Sequence, residues 1–108
     1  MEKKSQEAIQ KMQMLEQNMQ QIEAQKQQLN AQLLEIENAV KELETSSEAY
    51  KILNAVMVKT DPKKFKTELQ EKQEQLKLHI SLLEKQEKKV SEKTEQLRQE
   101  VLGNLKKE

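Results

Sequence analysis

The chain has 108 residues, 34% hydrophobic and 35% charged, with a single glycine, a single proline and neither cysteine nor tryptophan. This composition excludes a deep globular core and a disulfide framework, and leaves disorder or extended helix as the two candidates. Lys and Arg together number 19, as do Asp and Glu, so the formal net charge is zero, which argues against binding to nucleic acid.

The first half of the chain carries apolar residues at alternating spacings of three and four. In heptad terms these are the a and d positions, and Lys26 is the only polar residue among them. A repeat of 3.5 residues sustained over several heptads is typical of a coiled coil rather than of a strand or a disordered tract. We therefore predict a helix over residues 5–45. Its a and d positions are Met12, Leu15, Met19, Ile22, Lys26, Leu29, Leu33, Ile36, Val40 and Leu43.

The connector over residues 46–61 has a different pattern. Two serines interrupt the helical run, and β-branched and apolar residues follow. Two strands of about residues 50–53 and 56–59, joined through Asn54 and Ala55, would form a β-hairpin. Asn tolerates the left-handed conformation of a tight turn, but Asn-Ala is a poorer turn than Asn-Gly. The pattern therefore leaves a hairpin and a continued helical turn equally open.

The second helix is predicted over residues 62–106. Asp61 can accept hydrogen bonds from the first free N–H groups, and Pro62 suits the first helical position. Its apolar stripe is weaker than that of the first helix, because three of its a positions are polar: Gln73, Glu87 and Thr94. The apolar a and d positions are Leu69, Leu76, Ile80, Leu83, Val90, Leu97 and Val101.

The connector is too short to bring the second helix back parallel to the first, so the two helices are expected to pair antiparallel. When positions that sum to 109 face one another, every a position faces a d position, as in the pair Val40 and Leu69. Lys26 and Glu87 then lie one layer apart, close enough to pair. Such a pair would specify the register of the two helices more than it would add stability. The expected fold is mainly α: one long antiparallel two-helix coiled coil with one short central β-hairpin, in a single domain over residues 1–108.

No constellation of residues suggests catalysis. His79 is the only histidine, it lies beside the apolar stripe, and a solvated role is expected for it rather than metal binding or proton transfer. One glycine cannot build a phosphate-binding loop. We therefore expect no enzymatic activity, no metal and no cofactor. No signal peptide and no apolar stretch of roughly 18 residues is visible, so we expect a cytoplasmic protein without a membrane partner.

Two apolar regions lie outside the helical stripe. The apolar connector either folds back on the helices as a cap or pairs with the same segment of other subunits, and we favour pairing because the end of two helices offers little surface to cover it. In the antiparallel register, Ile9 and Met14 come together with Leu102 and Leu105 near the chain ends. Methionine suits surfaces that accept varied apolar partners.

Residues 50–59, Tyr-Lys-Ile-Leu-Asn-Ala-Val-Met-Val-Lys, placed between two long helices, resemble the connector of the β-class subunit of prefoldin. Residues 83–87, Leu-Glu-Lys-Gln-Glu, fit the second helix of that family, and the resemblance covers residues 5–107. A single hairpin distinguishes the β class from the α class, and the short tails favour the archaeal type. The family usually has glycine where this chain has Asn54.

The resemblance implies a prefoldin-like domain in a hetero-hexamer of two α and four β subunits (α2β4). That complex is an ATP-independent chaperone, which binds unfolded proteins at the coiled-coil tips and transfers them to a group II chaperonin. The implied assembly residues are Tyr50, Ile52, Leu53, Val56, Met57 and Val58. The implied client-binding residues are Ile9, Met12, Met14, Leu15, Val101, Leu102 and Leu105. The alternative is a structural coiled-coil spacer or adaptor that binds no client.

Overall fold

A computed structural model describes the backbone of residues 3–107 and the side chains of residues 3–104. It consists of helix α1 (Lys3–Thr45), strands β1 (Ala49–Leu53) and β2 (Val56–Thr60), and helix α2 (Pro62–Lys107). The strands pair antiparallel, so the hairpin alternative for the connector is confirmed and the continued helical turn is wrong. The helices in the described part of the chain contain no apolar run long enough to span a membrane.

Burial along both helices follows the heptad pattern. Each a and d position identified in the sequence is buried or half-buried, including the polar ones at Gln73, Glu87 and Thr94. Apolar residues off this stripe, such as Leu34 and Leu78, are exposed. Since the a and d positions are consistently shielded from water, they form the packed interface of a coiled coil.

The chain divides into two compact units, and each contains part of both helices. The hairpin unit comprises residues 28–80. Its core is formed by Ile36 and Val40 of α1 and Leu76 of α2. The half-buried residues packed against this core are Leu29, Leu33 and Leu69. The predicted facing pair of Val40 and Leu69 therefore lies in one apolar cluster.

The end unit comprises the residues up to Gln27 and those from Ser81 onward. Asn104 Nδ2 donates a hydrogen bond of 3.3 Å to Ser5 Oγ, and Lys26 Nζ lies 3.0 Å from Glu87 Oε1. Ser5, early in α1, thus contacts Asn104, late in α2. Lys26, later in α1, contacts Glu87, which lies earlier in α2. The helices of this unit run antiparallel, and Ser5 with Asn104 fits the predicted register.

The turn between the strands uses left-handed backbone at two successive residues. Asn54 has a φ of 48° and Ala55 a φ of 69°. Two positive φ values in a two-residue loop are typical of the type I′ turn, whose twist matches that of the flanking strands. Asn accepts this conformation readily, whereas for Ala it is strained.

The connector joins α2 through a helix cap at Asp61. The Asp61 side chain accepts a hydrogen bond of 3.4 Å from the backbone N–H of Lys63, and its carbonyl accepts the first helical bond, of 2.9 Å, from Phe65. Pro62 occupies the first helical position, where its missing N–H costs nothing. These residues begin α2 immediately after β2.

Candidate functional site

One face of the hairpin is free of the helices. Ile52 and Met57 are directly opposite each other in the strand register, and side chains alternate between faces along a strand. Tyr50, Ile52 and Met57 therefore share a face, which we call the outer face. They are 50%, 71% and 68% exposed. Apart from Lys59, which is opposite Tyr50, the outer face is thus an apolar surface in contact with solvent.

The opposite face is held to the helices only at its base. There Ala49 is 5% exposed, and Lys51 Nζ lies 3.5 Å from Glu68 Oε2 and 5.9 Å from the centre of the Phe65 ring. An ion pair and a cation–π contact with the start of α2 therefore orient the hairpin.

The rest of this second face is open, because Leu53, Val56 and Val58 are exposed on it. All six predicted assembly residues consequently lie exposed on one two-stranded hairpin. The connector therefore does not fold back on the helices as an apolar cap, which was the alternative to pairing with other subunits.

The hairpin also has two open edges. The sheet contains only β1 and β2, so each strand has one side without a partner strand. Within residues 3–107, the one backbone hydrogen bond outside the helices and the strand ladder is that between Phe65 and Asp61. The outward N–H and C=O groups of both strands are therefore available to another strand.

The predicted client-binding residues fall on two sides of the end unit. A wide groove of about 610 Å³ lies on one flank, and Ile9, Met12 and Leu15 line it together with Met19. A narrow groove of about 360 Å³ lies on the opposite flank and includes Met14, again with Leu15. The structure thus brings Ile9 and Met12 together and separates them from Met14.

The other predicted members of this set lie on α2. Val101 is half-buried on the heptad stripe, and Leu102 is exposed beside it. The side chain of Leu105 lies outside the described residues. Two apolar lining residues are missing from the predicted set, Met19 of the wide groove and Leu97 of the narrow groove. Their heptad positions could have indicated them, since half-buried a and d side chains form the floor of both grooves.

The two grooves differ in charge. Glu16 and Glu95 line the wide groove, and among its described lining residues there is no Lys or Arg. The narrow groove is bordered by Lys11 and Lys93 together with Glu100. Opposite flanks of the same helix pair therefore present apolar floors whose charged borders differ, with carboxylates alone on one and two ammonium groups with one carboxylate on the other.

A polar layer crosses the apolar stripe in the end unit. The side chains of Lys26 and Glu87 are 23% and 27% exposed, and the hydrogen bond between them raises the pKa of Lys26 above its usual value. At the wide groove, Arg98 donates bonds of 2.8 and 3.1 Å to Glu95, and Gln99 donates another of 3.1 Å. These bonds lower the pKa of Glu95, so this carboxyl is an anion at neutral pH.

The architecture can be compared with known proteins. A model of the family described as prefoldin subunit matches residues 6–108. The chain belongs to the prefoldin subunit family. The resemblance inferred from the connector is thereby confirmed, and the long helices around one hairpin are those of a prefoldin subunit.

The similar prefoldin proteins are β subunits. The prefoldin subunit beta of Thermococcus onnurineus is 41% identical over 58 residues, which cover 54% of this chain and 50% of that protein. The corresponding protein of Thermococcus gammatolerans is 40% identical over 57 residues, covering 53% and 49%. The match thus spans about half the length of these curated relatives.

A solved structure extends the similarity to nearly the whole chain. The crystal structure of the prefoldin beta subunit from Thermococcus strain KS-1 superposes with a TM-score of 0.90 at 31% identity. The superposition covers 96% of this chain and 94% of that one. The fold is therefore that of a prefoldin β subunit.

Proposed function

We propose that this chain is a subunit of a hexameric chaperone of the prefoldin type, with two α and four β subunits, that acts in the cytoplasm without ATP. Its hairpin joins it to the other subunits. Its helix ends bind unfolded polypeptides, which the complex transfers to a group II chaperonin. The observation that carries this proposal is the open hairpin, with six exposed apolar side chains and two free strand edges.

The hairpin has the physical properties of an assembly element. A lone two-stranded hairpin is marginally stable in water, and an exposed strand edge pairs readily with another strand. Lys51 and Ala49 orient its base, so its outer face and edges are presented in a defined position. Association with other hairpins would bury the outer face and satisfy the edges. A spacer that worked alone would gain nothing from this surface.

The helix ends have properties that suit weak, varied binding. The wide and narrow grooves of the end unit have apolar floors that include methionine, whose flexible side chain adapts to different partners. Several such ends in one complex would bind a single polypeptide together, because each contact raises the effective concentration of the next. Such binding requires no nucleotide.

The assembly part of the proposal is tested by mixing this chain with an α-class prefoldin subunit. Light scattering after gel filtration should give the mass of a six-subunit complex. A chain that stays monomeric in the presence of the α subunit would contradict the proposal and favour the spacer or adaptor.

The client-binding part is tested by deleting residues 1–14 and 100–108 from the assembled complex. We expect the hexamer to persist while its ability to suppress aggregation of a denatured protein is lost. The matched control replaces Leu34 and Leu78 with serine, because these exposed leucines lie away from the chain ends. Equal suppression by the truncated and full-length complexes would exclude the ends as the binding site.

A further inference from the structure

The heptad stripe of the end unit has a gap at Thr94. This residue occupies an a position and falls opposite Leu15 in the antiparallel register. Its hydroxyl donates a hydrogen bond of 2.8 Å to the carbonyl of Val90, one turn earlier in the same helix. The side chain is therefore short and is bound to its own helix, and it fills less of the layer than Leu or Ile would.

The gap coincides with the wide groove. In the same unit, the groove beside Ile22 and Val90 has a volume of about 370 Å³ and the groove beside Ala8 and Leu97 about 500 Å³, compared with about 610 Å³ where Thr94 forms part of the wall. Met12 and Met19 stay half-buried there rather than buried. A small residue at one a position thus lies where apolar side chains are open to solvent from the flank.

The border of the wide groove indicates what kind of segment it accepts. Glu16 and Glu95 are the charged groups that line it. Since Glu95 is bound by Arg98 and Gln99, Glu16 is the group best placed to attract a cation on a ligand. The apolar floor and the Glu16 carboxylate together complement an apolar side chain with Lys or Arg beside it.

We propose that Thr94 keeps the wide groove open for one apolar side chain of an unfolded polypeptide, and that Glu16 favours segments in which Lys or Arg adjoins that residue. This inference rests on the proposed function and names the class of segment that one flank of the helix ends selects. Thr94 acts as a positioning residue, because it determines the shape of the groove.

The test uses the assembled complex and two fluorescein-labelled Gly/Ser peptides, one with leucines flanked by Lys and one with leucines flanked by Glu. Thr94→Leu fills the gap, whereas Thr94→Val replaces the hydroxyl with a methyl group of similar size. In fluorescence anisotropy we expect Thr94→Leu to weaken binding of the Lys-flanked peptide roughly five- to tenfold, and Thr94→Val to leave it within about twofold. Binding of the Glu-flanked peptide, which suits the lysines of the narrow groove, should not change.

Folding is followed in the same variants. Leucine is favoured at heptad core positions, so Thr94→Leu should raise the melting temperature while it lowers affinity. Opposite changes in stability and binding cannot come from unfolding. A second variant, Glu16→Lys, changes only an exposed residue. It should weaken binding of the Lys-flanked peptide and leave binding of the Glu-flanked peptide unchanged. The difference in affinity between this variant and the wild type should disappear at high salt.

The outcomes separate this inference from the proposed function. If the wild-type complex binds neither peptide and does not suppress aggregation, both fail. If the wild-type complex suppresses aggregation but Thr94→Leu or Glu16→Lys binds the Lys-flanked peptide normally, only the inference is overturned. Loss of binding in Thr94→Val would also overturn it, because the hydroxyl rather than the volume would then be responsible.

Discussion

At the scale of single residues, Lys26 and Glu87 occupy positions where the heptad pattern favours apolar side chains. Each alone would place a charge in a half-buried layer, but together they form an ion pair of 3.0 Å between α1 and α2. A pair of this kind contributes little net stability, because desolvation offsets the attraction. Its effect is on specificity, since any other register would separate the two charges.

We predict that exchanging these charges distinguishes the effect of the ion pair from the effects of its two residues taken singly. Lys26→Glu and Glu87→Lys each place like charges in the layer and should lower the melting temperature measured by circular dichroism. The double variant restores opposite charges and should recover most of the loss. The same exchange at the exposed pair Glu95 and Arg98 within α2 serves as the control and should have little effect.

The pH dependence gives a second measurement of the same pair. Because the hydrogen bond raises the pKa of Lys26 in the folded chain, its contribution is fully present below the ordinary value of 10.5 and is lost as the pH rises through the raised value. The difference in melting temperature between wild type and Lys26→Gln should therefore shrink above pH 10.5. A difference that is constant with pH would show that the charge is not involved.

The turn residue Ala55 is held in a conformation that favours glycine. With a φ of 69°, it has the strain that a left-handed backbone imposes on a residue with a Cβ atom. We predict that Ala55→Gly stabilises the chain by about 1 kcal/mol, less whatever the added freedom of the unfolded chain costs. Thermal unfolding measures this change. Ser47→Gly, in the exposed bend before β1, is the control and should give no gain.

At the scale of elements, the hairpin combines a fixed base with a free outer face. Ala49 and Lys51 attach one face to the start of α2, whereas Ile52 and Met57 have no cover within the chain. Folding of the helices therefore does not require the outer face, and substitutions there should affect association without affecting helix content.

We predict that Ile52→Lys prevents the chain from joining an α-class prefoldin subunit. Its charge would enter the apolar contact between hairpins, and burying an unpaired ammonium group is strongly unfavourable. Gel filtration with light scattering measures the loss of the complex, and circular dichroism should show unchanged helix. Leu34→Lys, at a similarly exposed leucine on α1, should assemble normally. Normal assembly of Ile52→Lys would remove the outer face from the interface.

At the scale of the whole molecule, most of the fold could be predicted because helical periodicity is local. The spacing of apolar residues identified both helices and the layer of Lys26 and Glu87, since each depends on position along a regular helix. The pattern could not decide between a hairpin and a continued helical turn, because Asn54 and Ala55 are a weak turn signal. The pairing of β1 with β2 stabilises the hairpin, and the sequence pattern does not show that pairing. Ile9 and Met14 were both recognised as stray apolar residues.

The division of the candidate site over two flanks was not foreseen. The flank that a side chain faces depends on the register of both helices, and the polar a position at Thr94 was interpreted only as a weakness of the stripe. In the structure that weakness coincides with the wide groove. Positions that depart from a repeat therefore carry information about binding that the repeat itself does not.

The free edges of the hairpin have a consequence for how this chain is produced in a cell. Whenever more copies are synthesised than there are partners to receive them, the surplus chains expose strand edges and apolar side chains that can pair with one another. Self-association of this kind grows with concentration by mass action. For the proposed assembly, we therefore expect balanced synthesis of this chain and its partners, or rapid degradation of the excess.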